Sequence, residues 1–183
     1  MRERATACIR AIVAGVVDDD APSRRQRLKV LAVDREDDVA AVLIASGAKR
    51  RNLSLDIRVF VELGGSWRSV GGGGQVTADP RLPDRSSVPA RSIETAQTHA
   101  SGRGRSAIRA SAVRAGRDIA VLRWRRRDRP VSPTGYAVVV WRGRRPPEVT
   151  GYDAAGALVA QLDRPAVPSS FEDLSWIEFP TAR

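Results

Sequence analysis

The run Leu53 to Leu63 alternates with a period of two: Leu55, Ile57, Val59 and Val61 fall on one side, Asp56, Arg58, Phe60 and Glu62 on the other. Successive side chains of a strand point to opposite faces, whereas a helix would put these aliphatics on both sides of its axis. The run therefore reads as a strand with one apolar face. Gly64-Gly65 can turn the chain into a partner strand over Ser66 to Val70. Upstream, Arg27 to Val33 and Val39 to Ala45 read as two further strands, joined by the turn chemistry of Asp34-Arg35-Glu36-Asp37-Asp38. Residues 4–17 fit a short helix, with Cys8, Ile9, Ile12, Val13, Val16 and Val17 on one broad apolar face. Gly15 weakens it by about 1 kcal/mol relative to Ala, and Asp18-Asp19-Asp20-Ala21-Pro22 ends it. The expected fold class of residues 1–70 is α+β: an N-terminal helix, then an antiparallel meander.

Regularity is lost after Val70. Residues 71–105 hold Gly71-Gly72-Gly73-Gly74, Pro80, Pro83 and Pro89 among many Ser and Thr, which suits a linker. A short helix over Ser92–His99 is the only regular element expected there. Strand signals return at Ser106–Val113 and Asp118–Arg125, with Arg114-Ala115-Gly116-Arg117 as a hairpin turn between them. Tyr136–Arg142, Val149–Tyr152 and Ala157–Leu162 follow at short spacing. Residues 106–164 are thus expected to form a small, mainly antiparallel β-sandwich or barrel, and 165–183 an acidic-aromatic tail. Limited proteolysis is expected to cut first within 71–104, between two separate units.

Charge is the second constraint. Residues 101–145 carry thirteen Arg against Asp118 and Asp128, a net of +11 within a chain of +10. Arginine outnumbers lysine 29 to 2, a skew expected of a GC-rich, actinobacterial-type genome, so clustering is a better guide to binding than overall charge. Cys8 is the sole cysteine, which excludes an intrachain disulfide and a Cys-based zinc site. No run approaches the ~20 apolar residues that span a bilayer, and no apolar stretch precedes Cys8 as an export signal would require. These absences lead to the expectation of a soluble, cytoplasmic protein with no membrane partner.

Two stretches carry a resemblance. Asp38-Val39-Ala40-Ala41-Val42, Asp56-Ile57-Arg58-Val59-Phe60 and Gly65-Ser66-Trp67-Arg68 are similar to the sheet half of nuclear-transport-factor-like and cystatin-like folds. Gly135 to Trp141, with Pro146-Pro147 and Tyr152-Asp153-Ala154-Ala155-Gly156, resembles β-domains of actinobacterial proteins. Together they cover about half of the chain. The resemblance implies a curled sheet against a helix and assigns no catalytic residue.

Candidate chemistries are few. Gly71–Gly74 lacks the Gly-Lys-Ser/Thr of a phosphate loop, and neither acidic run (Asp18–Asp20, or Asp34 and Glu36–Asp38) has calcium-loop spacing. His99, the only histidine, has Ser101 nearby but no nucleophile elbow. Glu148 and Asp153 are a nominal acid/base pair without a visible separation. No cofactor or metal is expected, and no enzyme. The candidate binding residues are Arg103, Arg105, Arg123, Trp124, Arg125, Arg126, Arg127, Arg142, Arg144 and Arg145, because Arg binds phosphates and carboxylates bidentately and an exposed Trp stacks on bases. Trp67, Trp124 and Trp141 are nevertheless expected to be mostly buried, because each ends or interrupts an apolar strand and carries a large hydrophobic area; an exposed Trp124 would favour nucleic acid. The expected function is a non-enzymatic binding or scaffold protein acting through protein–protein interaction with an acidic partner. The alternative is sequence-tolerant binding of single-stranded nucleic acid through 103–145. A simple hairpin of Asp118–Arg127 with Tyr136–Arg142 would set Arg123–Arg127 and Arg142–Arg145 at opposite ends.

Overall fold

A computed structural model describes residues 2–15, 17–18, 28–48, 52–77, 82, 85–102 and 106–162. Helix α1 (Arg2–Ala14) is followed by four strands, β1 (Leu28–Glu36), β2 (Val39–Ala48), β3 (Asn52–Leu63) and β4 (Ser66–Thr77). They form one antiparallel sheet in sequence order, as the alternation of Leu53–Leu63 anticipates. Gly15 ends the helix in the left-handed conformation (φ 66°), its N–H donating to the Ala11 carbonyl at 2.7 Å. Cys8, Ala11 and Ile12 pack on Val30, Ala40, Val42, Ile44, Phe60 and Trp67, the outer face of this sheet.

Seven more strands make two further sheets. β5 (Ile93–Ser101), β6 (Ile108–Ala115) and β9 (Tyr136–Arg142) form the second, in the order β5-β6-β9. β7 (Val121–Trp124), β8 (Arg127–Pro130), β10 (Val149–Tyr152) and β11 (Leu158–Leu162) form the third, in the order β11-β10-β7-β8. All pairings are antiparallel, as expected, and all three sheets are open, so of the two expected forms, sandwich or barrel, the barrel is excluded.

The middle sheet is covered on both faces. Ile108, Ala110, Ala112, Tyr136, Val138 and Val140 pack against Leu43, Leu55, Ile57 and Val59 of the first sheet. Val113, Ala137, Val139 and Trp141 pack the other way, against Leu122, Trp124 and Val149 of the third. The apolar run of β9 follows from this: a strand covered on both sides has no polar face to alternate with. Helix and three sheets thus stack as four layers.

The expected linker is corrected on two counts. Gly71–Thr77 continue β4, and Ile93–Ser101 are β5 rather than a helix. The glycines pack rather than flex. Gln97 Nε2 donates to the Gly73 carbonyl (2.8 Å) and Ser101 Oγ to that of Val70 (2.8 Å), so side chains of β5 cover the outer edge of β4. A Cβ on Gly71 would stand 2.9 Å from His99 Nε2, which is why the seam needs glycine there. The two halves also share one apolar cluster, because β6 and β9 lie on the inner face of the meander. The hairpin expected between Ser106–Val113 and Asp118–Arg125 is absent as well: β6 pairs with β5 and β9, and β7 with β8 and β10. Arg85 holds the crossing between sheets, its guanidinium donating to the carbonyls of Gly116 (2.6 Å) and Ile119 (2.7 Å). The tail 165–183 lies outside the described residues.

Candidate anion-recognition site at the arginine rim

A β-bulge builds the site. Val30 pairs with Ile44 on the helix-facing side, but the register then skips Leu31, and Ala32 pairs with Leu43 on the inner side. One extra residue exchanges the faces of everything after it. Asp34, opposite Ala41, is thereby aimed inward, and it is 3% exposed. Its Oδ2 accepts the Trp124 indole N–H at 3.1 Å and the Val140 backbone N–H at 3.0 Å, and its Oδ1 pairs with Arg129 Nη2 at 3.4 Å. One carboxylate therefore ties together the first sheet (β1), the middle sheet (β9) and the third (β7 and β8). The segment Asp34–Asp38, expected as a turn, thus begins inside β1 with a buried carboxylate.

The rest of that turn gathers the arginines. Arg125 pairs with Glu36, Arg127 Nη1 donates to the Arg35 carbonyl at 2.7 Å, and Arg142 reaches both oxygens of Asp38 at 2.6 and 3.3 Å. Arg35 spans Glu62 (2.9 Å) and the face of Trp67, 4.9 Å from the ring centre. The expectation that Arg123–Arg127 and Arg142–Arg145 lie at opposite ends is corrected, since β7 and β9 are not partners, and Arg125 and Arg127 of one group and Arg142 of the other reach the same segment, the end of β1 and the Asp37-Asp38 turn. Counting these arginines (35, 125, 127, 129, 142) with their exposed sequence neighbours Arg126, Arg144 and Arg145 against five carboxylates (34, 36, 37, 38, 62) gives a net of +3. Arg126, Arg144 and Arg145 are exposed and make no hydrogen bond or ion pair among the described residues.

Other candidates leave the site. Trp124 is buried at 3% exposure and spends its N–H on Asp34, so it offers no face for stacking; Trp141 (1%) and Trp67 (9%) are buried too. Arg123 is engaged by Asp128 (Nη2 to Oδ2, 2.9 Å) and stacks 4.5 Å over the Tyr152 ring. That hydrogen bond holds the Asp128 carboxyl below its ordinary range and raises the arginine. Arg103 and Arg105 fall outside the described residues. The Asp153 carboxylate accepts the backbone N–H groups of Ala155 and Ala157, both at 2.9 Å, and Glu148 accepts from Gln161, so each has a local role. Among the described residues no group of three or more His, Cys, Asp or Glu is placed to hold a metal ion, and no helix is long and apolar enough to cross a membrane.

The sequence had no signal for the tip of the rim. Trp124 pairs with Arg127 across the two-residue turn Arg125-Arg126, whose φ angles are 49° and 62°. Both are left-handed, a conformation that costs a residue with a Cβ about 1–2 kcal/mol.

Two buried titratable groups behave differently from the rim. Cys8 is pushed up to about 11, chiefly by burial, and is an inert core thiol. His99 is held below its ordinary 6.5, first by burial and then by the charge of Arg58, and its Nε2 is enclosed without a partner. The imidazole is kept neutral in the fold but protonates freely in the unfolded chain, which then binds more protons. Stability is therefore complete above about pH 6.5 and falls as pH drops from there toward the folded pKa. The melting temperature of the parent should drop further between pH 7 and pH 5 than that of His99→Gln. Parallel drops in the two proteins would show that His99 carries none of the acid sensitivity.

Comparison with protein-family models, curated proteins and solved structures gives no match.

Proposed function

We propose that the protein is a non-enzymatic binding or scaffold protein that acts through protein–protein interaction and docks an acidic segment of its partner on the arginine rim. The observation that carries this reading is the surplus of cations after the internal carboxylates are matched. Arg126, Arg144 and Arg145 stand exposed with no hydrogen bond or ion pair among the described residues, while their sequence neighbours Arg125, Arg127 and Arg142 are clamped to the Asp34–Asp38 segment. We read the C-terminal half as a small antiparallel β-sandwich that presents this rim, with the helix and meander as its platform. Single-stranded nucleic acid is the competing ligand. The local +3 favours it, while the burial of Trp124 and Trp141 removes the aromatic platforms that such binders use.

Retention on immobilised polyglutamate and on oligothymidylate, measured across a salt series, tests the reading. Polyglutamate should be held at low salt and released as salt rises, and Arg144→Glu with Arg145→Glu should weaken it about tenfold, as expected for reversed rim charges. Tighter binding of oligothymidylate, with log affinity falling by about 0.7 per phosphate contact against log salt, would replace the acidic partner by nucleic acid. Indifference to both ligands at low salt would discard the rim as a binding surface.

A further inference from the structure

The chain makes one kind of backbone turn twice, with opposite residue choices. β3 and β4 are joined by Gly64-Gly65, at φ 57° and 77°, and β7 and β8 by Arg125-Arg126, at φ 49° and 62°. Each is a two-residue hairpin with both tip residues left-handed, where Gly or Asn is the unstrained choice. Glycine meets that demand in the first hairpin. In the second, arginine adds nothing to the turn except a long cationic side chain.

The two arginines differ in what they receive. Arg125 pairs with Glu36, an internal contact that offsets its strain. Arg126 is exposed and makes no hydrogen bond or ion pair among the described residues. Its flanks are fixed: Arg125 by Glu36, Arg127 by the Arg35 carbonyl at 2.7 Å. With both neighbours held and no hydrogen bond or ion pair of its own among the described residues, the strained Arg126 offers its guanidinium at the hairpin tip.

We propose that Arg126 is the anchor of the rim, kept in a left-handed turn so that its guanidinium stands clear at the hairpin tip, and that it takes a carboxylate side chain from an acidic segment of a partner protein. This rests on the function proposed above and adds the residue and the chemistry it reads. A carboxylate is favoured over a phosphodiester by what the neighbouring arginines already do. Arg142 reaches both oxygens of Asp38, Arg123 both oxygens of Asp128, and the tryptophans among the described residues, Trp67, Trp124 and Trp141, are buried and offer a base no face to stack on.

Arg126→Gly separates strain from recognition, because it relaxes the turn and removes the side chain together. Its affinity for a decaglutamate peptide at low salt should be roughly tenfold weaker than the parent's, the loss expected for a charge-assisted hydrogen bond. Its melting temperature should rise by about 2–4 °C, the shift that about 1 kcal/mol produces in a chain of this size. Arg126→Lys keeps the charge without the planar fork and should fall between the two in affinity, with no rise in melting temperature. A glycine variant that binds the peptide as tightly as the parent overturns the anchor while leaving the rim intact. A lowered melting temperature overturns the strain argument. A parent protein that ignores decaglutamate removes the rim reading itself, and a parent that prefers an oligothymidylate of equal charge overturns the carboxylate assignment.

Discussion

Asp34→Ala is expected to cost about 3–5 kcal/mol of stability, the range for breaking a buried pair and leaving its partners uncompensated. Three partners are stranded at once: the Trp124 indole N–H and the Val140 backbone N–H lose a shared acceptor, and Arg129 loses its counter-charge. These groups lie in the two sheets other than that of Asp34 itself, so the effect should extend beyond β1. Denaturant unfolding followed by tryptophan fluorescence measures the loss directly. Asp34→Asn retains one carbonyl oxygen as an acceptor and should cost less than alanine, with the difference reporting the ionic part. An alanine variant within 1 kcal/mol of the parent would mean that the three sheets are held together by apolar packing alone.

Trp141→Ala should be comparably damaging, at about 3–5 kcal/mol. Trp141 is 1% exposed in the cluster between the middle and third sheets, where truncation leaves a cavity that flanking strands paired on fixed ladders cannot close. A second variant isolates the reason. The Trp141 Nε1 is buried without a partner, so Trp141→Phe removes an unsatisfied N–H along with some volume. Phenylalanine should therefore recover most of the stability lost in alanine. If both variants unfold at the same denaturant concentration, the cavity account is wrong. Neither substitution touches an exposed arginine, so decaglutamate binding by the folded fraction should persist in both.

Legibility from the sequence followed the range of the forces involved. Period two over Leu53–Leu63, the Gly64-Gly65 turn and the apolar face of residues 4–17 are local signals, and they identified the helix and β1–β3 to within a few residues and the start of β4, which runs seven residues past the expected Val70. Side-chain size and polarity alone were enough to mark Trp67, Trp124 and Trp141 as core residues. The glycine run failed as a signal because composition cannot distinguish a glycine that flexes from one that makes room. Gly71 is needed where His99 and Ser101 approach, and those residues lie more than 25 positions further along the chain.

What the sequence by itself determined is most of the strands, β5 and β8 excepted, the apolar faces of the meander and the concentration of arginine in 101–145. Each depends on neighbours a few residues apart. What only the tertiary structure decided is which strands pair, that the acidic segment Asp34–Asp38 receives Arg125, Arg127, Arg129 and Arg142, and that Arg126, Arg144 and Arg145 make no hydrogen bond or ion pair among the described residues. The physical reason lies in the bulge at Leu31 and in the sheet order. One skipped pairing turns Asp34 from the helix face to the interior, and the placement of β7 and β9 in different sheets brings both arginine groups to the same end. Charge matching between residues about a hundred positions apart depends on that geometry, and no local period encodes it.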